Sequence, residues 1–214
     1  MLQTLVVVKI QSMLYKELLQ TIDALDITTI SERRKFVLQP LIDFVQEKVT
    51  TNKEIRLNFI CTHNSRRSHL GPVWAQTIAA KNGIKITGFS GGTEATTLFI
   101  EAKNTLVNAG FQIQQLSETS NPVYAIKYSE NESPIVGFSK KYDDPFNPKS
   151  EFAAILTCSQ ADEGCPFIAG AEKRIPITYK DPKAFDNTPQ QKEMYTQRSM
   201  QIATEMKYVF ESIK

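Results

Sequence analysis

Between residues 55 and 83 the chain passes through three distinct patterns. Ile55 to Ile60 (IRLNFI) reads as a short strand. The polar stretch Cys61-Thr62-His63-Asn64-Ser65-Arg66-Arg67-Ser68 follows, and a helical pattern then runs from Ser68 to Asn82 until Gly83 stops it. Leu70, Trp74, Ile78 and Ala79 fall on one side of that helix. A strand feeding a helix through a short loop is half of a βαβ unit, and the alternation continues downstream. Ile84 to Phe89 reads as a second strand and Leu98 to Ala109 as a helix closed by Gly110. Phe152 to Thr157 is a strand leading to Cys158, and Arg174 to Thr178 is another. Gln191 to Ile213 is a long final helix with Met194, Met200, Ile202, Met206, Val209 and Phe210 on its apolar stripe. This order predicts an α/β fold, a parallel sheet with helices on both faces. Ligands of such sheets bind beyond the carboxyl ends of the strands, where Cys61 and Cys158 both fall.

Two segments stand outside the alternation. Residues 1–54 read as a helical extension, leaving 55–214 as the α/β domain. Leu14, Leu18, Leu19, Ile22 and Leu25 recur at helical spacing. A second helix follows Ser31, a candidate N-cap, with Phe36, Leu38, Leu41, Ile42, Phe44 and Val45 as candidate core. Pro40 either kinks that helix or marks its true first turn. Residues 121–150 hold four prolines and two strand-like pieces, Tyr124 to Tyr128 and Ile135 to Ser139, which together suggest an inserted hairpin.

Composition narrows the function classes. Of 214 residues, 41% are apolar and 22% charged, with a net charge of +2, and no basic run interleaved with aromatics suggests nucleic acid. No stretch approaches the roughly 18 consecutive apolar residues of a membrane span. The run Leu2 to Ile10 lacks the basic flank and cleavage site of a signal peptide. A cytoplasmic protein is expected. The three cysteines, Cys61, Cys158 and Cys165, are an odd count that argues against a structural disulfide framework. Two histidines, His63 and His69, are too few for a zinc site, and no metal or cofactor is expected.

The loop from Cys61 to Ser68 suits a tetrahedral oxyanion. A helix N-terminus offers unpaired N–H groups and partial positive charge, and the same field favours an anionic sulfur. Arg67 can grip two oxygens in a fork. Ser68 can donate to the sulfur, and Asn64 tolerates positive φ. The bland alternative is a buried structural cysteine beside surface arginines.

CTHNSRRS resembles the phosphate-binding loop of the low-molecular-weight protein tyrosine phosphatase superfamily, which includes thioredoxin-coupled arsenate reductases. Ser90-Gly91-Gly92-Thr93-Glu94-Ala95 is similar to the S-A-G-T segment of that superfamily. The resemblance covers about residues 55 to 213, without residues 121–150. It implies that Cys61 is the nucleophile and that Thr62, His63, Asn64, Ser65, Arg66 and Arg67 hold the oxyanion. There are two departures. His63 stands where the family usually has Gly. Pro72 stands where many arsenate reductases carry a Glu that helps hold a potassium ion, so that ion is not expected.

The segment Cys158-Ser159-Gln160-Ala161-Asp162-Glu163-Gly164-Cys165-Pro166 resembles the C-x-x-A-D-x-x-C-P stretch of thioredoxin-coupled arsenate reductases, whose two cysteines carry a redox relay. The alternative is two small buried hydrophobes. Asp181-Pro182, after the Arg174 to Thr178 strand, matches the dipeptide that carries the superfamily's general acid. Asp144-Pro145 is a rival, and either could be a simple turn. The resemblance therefore implies arsenate reduction. Cys61 attacks, Asp181 protonates the leaving hydroxyl, and Cys158 and Cys165 relay the disulfide to a thioredoxin-like reductant. Two rivals remain: a phosphatase hydrolysing phosphoesters with Cys61, Arg67 and Asp181 alone, and a non-catalytic oxyanion-binding or redox-sensing protein.

Overall fold

The structure, a computed structural model, describes residues 14–164 and 167–214. Cys165, Pro166 and the run Leu2 to Ile10 lie outside the described residues. In chain order, α1 (Lys16–Asp23) and α2 (Glu32–Thr50) precede β1 (Ile55–Cys61), α3 (Arg67–Lys81), β2 (Ile86–Gly92) and α4 (Ile100–Asn108). Three short strands follow: β3 (Gln112–Gln115), β4 (Tyr124–Lys127) and β5 (Ile135–Gly137). The chain then forms β6 (Phe152–Leu156), α5 (Ser159–Gly164), β7 (Ala171–Pro176) and α6 (Gln191–Glu211).

The main sheet is wholly parallel, with strand order β2-β1-β6-β7. The chain leaves β1 toward β2 on one side and returns through β6 on the other. The carboxyl end of β1 is therefore the switch point of the sheet, where crevices open. Alternate side chains serve the two faces. Leu57, Phe59, Ala153 and Ile155 enter the large core shared with α1, α2, α3, α4 and α6, whereas Ile60, Phe152, Ala154 and Leu156 enter a smaller core, joined by Cys61 where β1 ends and by Cys158 and Ala161. Helices cover both faces, but unequally, since α5 is the one described helix over the smaller core. Gly71 lets α3 lie close on β1, because a Cβ there would sit 2.3 Å from the Phe59 ring.

Several expectations shift at their edges. β2 extends to Gly92 because its register with β1 runs on to Cys61↔Gly92. Ser31 does cap α2, its Oγ accepting from the Arg34 amide at 3.3 Å. Pro40 sits inside α2 and does not begin it. The carbonyl of Phe36, four residues back, loses its donor there, and Phe36 itself is 83% exposed rather than core. The missing bond therefore lies on the solvent side. In α6, Met194 and Met200 are only partly buried, while Tyr195, Ser199 and Glu205 are buried. The expected hairpin at 121–150 is the outer part of a three-stranded antiparallel sheet, order β3-β4-β5, whose first strand precedes that segment.

The helices of residues 14–54 share the large core. Leu18, Ile22, Leu38, Leu41 and Val45 are fully buried in it. Arg34 of α2 forks onto the buried Glu205 of α6, both bonds at 2.8 Å. The division at residue 54 thus separates sequence patterns within one continuous core. Deleting residues 1–50 should yield an insoluble or unfolded chain, because the apolar faces of α6 and β1 lose their cover. A soluble deletion variant with a cooperative melt by circular dichroism would show the segment to be dispensable.

Candidate active site

The loop after β1 is built so that its carbonyls face outward. Cys61 O accepts from Thr93 N at 3.1 Å, and Thr62 O from Glu94 N at 2.8 Å. His63 O accepts from Thr96 Oγ1 at 2.9 Å and from Ser139 Oγ at 3.1 Å. Asn64 O meets His69 Nε2 at 2.9 Å, and Ser65 O accepts from Phe99 N at 2.9 Å. Arg66 O begins the ladder of α3, accepting from His69 N and Leu70 N. No peptide here is cis. A trans peptide sets each N–H opposite the carbonyl before it, so the amides of residues 62–67 are turned toward the loop's centre. None of them donates a hydrogen bond among the described residues. Asn64 makes the turn with φ of 42°. A ring of convergent amides at a helix N-terminus is an anion-binding nest.

Cys61 and Ser68 lie at the base of the loop, Sγ and Oγ 3.0 Å apart. Ser68 Oγ also accepts from Asn64 Nδ2 at 2.9 Å. That bond orients the hydroxyl and leaves its proton for Cys61 Sγ. Arg67 is buried at the first position of α3. Its Nη1 donates to Tyr179 O at 2.8 Å, and its Nη2 pairs with Asp181 Oδ2. Its Nε is buried with no partner among the described residues. An unpaired donor on a buried guanidinium is costly, and an anion in the loop would satisfy it.

Asp181 thus reaches the site, through the turn that follows β7, and its Oδ1 accepts from Lys183 N at 3.0 Å. Asp144, the rival Asp-Pro residue, instead caps a turn, accepting from Phe146 N at 2.9 Å. Cys158 is buried at the carboxyl end of β6, beside β1. Its Sγ lies 3.5 Å from Thr62 Oγ1 and accepts from Ala161 N at 3.4 Å. The second cysteine therefore touches the residue next to Cys61. Cys165, seven residues on, is outside the described residues; Ser159–Gly164 between the two is helical.

Two of the named loop side chains turn away from the centre. Arg66 pairs with Asp186 Oδ2 at 2.6 Å, bonds Tyr195 OH at 2.5 Å and lies 4.2 Å over the Phe99 ring. His63 is at the rim, 3.7 Å from Glu94 Oε2. Any role of these two in anion binding would fall to their backbone amides.

Sequence reasoning missed the support beneath the loop. His69 is fully buried, and burial, aided by nearby Lys140, pushes its imidazole down to about 3. It is therefore neutral, and its Nε2–H donates to Asn64 O. Lys140, from the segment outside the family resemblance, is 2% exposed and donates Nζ to Ser90 Oγ at 3.1 Å. Its backbone N–H holds Asn64 Oδ1 at 2.9 Å. Only its position between two aromatic residues, Phe138 and Phe146, hinted at burial.

The His69 environment makes stability pH-dependent. The unfolded chain protonates His69 below about 6.5, whereas the folded protein does not until about 3. The stabilisation is complete above pH 6.5 and declines as pH falls toward 3. Between pH 6.5 and 5 the loss is about 2 kcal/mol. Urea melts of the protein and of His69→Gln should show this slope in the former and its loss in the latter.

Taken together, fold and site define an α/β protein with a buried cysteine and a ring of convergent loop amides at the switch point of a parallel sheet. No protein-family model matches the chain, and no curated protein does. Among solved structures, it is similar to a low-molecular-weight phosphotyrosine phosphatase from Vibrio cholerae O395, with 13% identity and a TM-score of 0.49 over 72% of this chain and 93% of that one. It is also similar to an arsenate reductase in a phosphate-binding state, with 17% identity and a TM-score of 0.47 over 75% and 99% of the two chains. An arsenate reductase from Archaeoglobus fulgidus DSM 4304 shows 14% identity and a TM-score of 0.45 over 73% and 99%. No described helix is long and apolar enough to cross a membrane.

Proposed function

We propose that the chain is an arsenate reductase that uses Cys61 as nucleophile and a second thiol to form a disulfide. The observation that carries the reading is the loop itself: every carbonyl from Cys61 to Arg66 is bonded outward, and the inward amides surround a cysteine sulfur. Such a nest takes a tetrahedral dianion and stabilises the charge that develops in displacement at its centre.

In this reading Cys61 Sγ attacks arsenic, and a hydroxyl leaves with a proton from Asp181. Before binding, Asp181 is tied to Arg67. An entering dianion competes for that guanidinium and takes up the free Nε, which releases the carboxyl to act on the leaving oxygen. Cys158 then attacks Cys61 Sγ. The sulfur–sulfur bond forms as the sulfur–arsenic bond breaks, and its electron pair stays on arsenic, which departs as arsenite. The two electrons of the reduction come from the two thiols. Cys165 next displaces Cys61 from Cys158, and a thioredoxin-like dithiol reduces the resulting Cys158–Cys165 disulfide. The contact between Cys158 and Thr62 supports the second step.

A phosphatase reading is favoured by one specific contact, the Arg67–Asp181 pair, since arginine and acid would serve phosphoester hydrolysis with Cys61 and water alone. Arsenate reduction coupled to thioredoxin, run beside p-nitrophenyl phosphate hydrolysis, separates the two. Thioredoxin-dependent turnover of arsenate is the expected result. Hydrolysis without arsenate turnover would replace the proposal with the phosphatase.

A further inference from the structure

Beneath the loop five side chains from five segments form a hydrogen-bond chain with one direction. Lys140 Nζ donates to Ser90 Oγ at 3.1 Å. Ser90 Oγ donates to Asn64 Oδ1 at 3.5 Å, the longest link. Asn64 Nδ2 donates to Ser68 Oγ at 2.9 Å. Ser68 Oγ, its lone pair thus engaged, donates to Cys61 Sγ at 3.0 Å. An ammonium can only donate, so the polarity of every link is set from the Lys140 end. Each bond in such a chain polarises the next, and the last donor becomes a better partner for negative charge.

We propose that Lys140 is a positioning residue for the nucleophile, acting through Ser90, Asn64 and Ser68 to favour the anionic form of the Cys61 sulfur. The inference rests on Cys61 being the nucleophile, but not on which oxyanion it attacks. Three observations support it. Lys140, Ser90, Asn64 and Ser68 are all buried, so water does not screen the chain. The ammonium lies over the Phe138 and Phe146 rings at 4.4 and 5.2 Å, and it has no ion pair among the described residues. Its charge is therefore not spent on a neighbouring carboxylate. Burial lowers Lys140 to about 8, with Asp144 opposing, so at pH 7 it remains mostly charged.

The segment at 121–150 thereby acquires a task. It passes over the β2 edge, where Gly92 N donates to Lys140 O and Tyr142 N to Gly92 O, both at 2.9 Å. Gly91 permits that crossing, since a Cβ would lie 2.4 Å from Tyr142 Cα. Asn121 fixes Ser139 from the far side, donating to its carbonyl at 2.7 Å and accepting its amide at 3.1 Å.

The test is the rate at which iodoacetamide alkylates Cys61 in the full-length protein, read on the Cys61 peptide by mass spectrometry. The reagent is uncharged, so its rate follows ionisation of the sulfur rather than affinity for anions. The charged and titratable groups around the chain are His69, Asp144, the Arg67–Asp181 pair and the rim pair His63–Glu94, and none is altered. Lys140→Met keeps the stem against the aromatic rings and removes the charge. Its alkylation at pH 7 should slow about fivefold, with the gap closing near pH 10, where the wild-type Lys140 is itself neutral. Lys140→Arg should retain most of the rate. Ser90→Ala, which breaks the chain without removing the cation, should slow it as Lys140→Met does. Wild-type rates in both Lys140→Met and Ser90→Ala would overturn the proposal, as would a slow Lys140→Met beside a wild-type Ser90→Ala. If Lys140→Met fails to fold, Ser90→Ala alone decides. The assay needs no substrate, so its failure is distinct from failure of the arsenate reading.

Discussion

Cys61→Ser should lower turnover of arsenate and of p-nitrophenyl phosphate by about 10³-fold or more, since the loss is of the bond-forming atom. A serine hydroxyl in the same place still meets Ser68 and still fits the small core with Ile60 and Leu156. Folding should therefore survive, and the variant should bind phosphate or arsenate as tightly as the wild type, because the amides that form the nest belong to residues 62–67. Separating binding from turnover is what makes the variant informative. A Cys61→Ser protein that keeps even a few per cent of wild-type rate would remove the cysteine from the chemistry. Calorimetric titration with phosphate shows whether the nest is intact.

Arg67→Lys should cost about 10²-fold in kcat/KM although the formal charge is kept. The guanidinium does three things at once. Nη1 holds Tyr179 O, Nη2 holds Asp181, and Nε, without a partner among the described residues, is free for the proposed anion. A lysine ammonium is a point donor on a flexible stem and cannot span these positions. KM should rise because the fork is lost, and kcat should fall because Asp181 loses its anchor. Near-normal kinetics would mean that the amides suffice. Arg66, the other arginine of the loop, could not easily substitute, because Asp186 and Tyr195 already hold it.

How much of this was legible beforehand depended on distance along the chain. The β1–loop–α3 unit could be read because everything that defines it is local: the strand pattern, the polar loop and the helical period follow one another within 28 residues. The capping of α2 by Ser31 is local too. Asp181 is picked out by the superfamily resemblance, with its order after a strand favouring it over Asp144, and it does meet Arg67. The misreadings share a different cause. Phe36 looks apolar at a plausible core position, but the face that α2 buries is chosen by α6 and the sheet, and it runs through Leu38, Leu41 and Val45. Met194 and Met200 gave way to Tyr195, Ser199 and Glu205 for the same reason, since these meet Arg66, Trp74 and Arg34 from distant segments. Lys140 is hard to read from the sequence, because a buried lysine carries no mark beyond the flanking Phe138 and Phe146. Its partners, Ser90 and Asn64, are 50 and 76 residues away.

The same distance dependence explains why residues 14–54 looked separable. Their helical pattern is self-contained, and nothing local announces that Arg34 reaches Glu205 or lies 4.7 Å over the Tyr179 ring, whose own carbonyl holds Arg67. The early helices thus abut the residue that anchors Arg67 from behind.

The central claim is that Cys61 works with a second thiol, and the most direct measurement is to identify the disulfide that arsenate leaves behind. Wild-type, Cys158→Ser and Cys165→Ser proteins are treated with arsenate without reductant, alkylated and mapped by mass spectrometry. The relay needs two electrons per arsenate, and a lone Cys61 cannot supply them through a disulfide. The wild type should therefore accumulate Cys158–Cys165. Cys165→Ser should stop after one turnover with Cys61–Cys158 trapped, and Cys158→Ser should form neither bond. All three should still hydrolyse p-nitrophenyl phosphate, which needs no electrons. A wild type that forms no disulfide under arsenate, together with serine variants indistinguishable from it, would contradict the account and leave a phosphatase in its place.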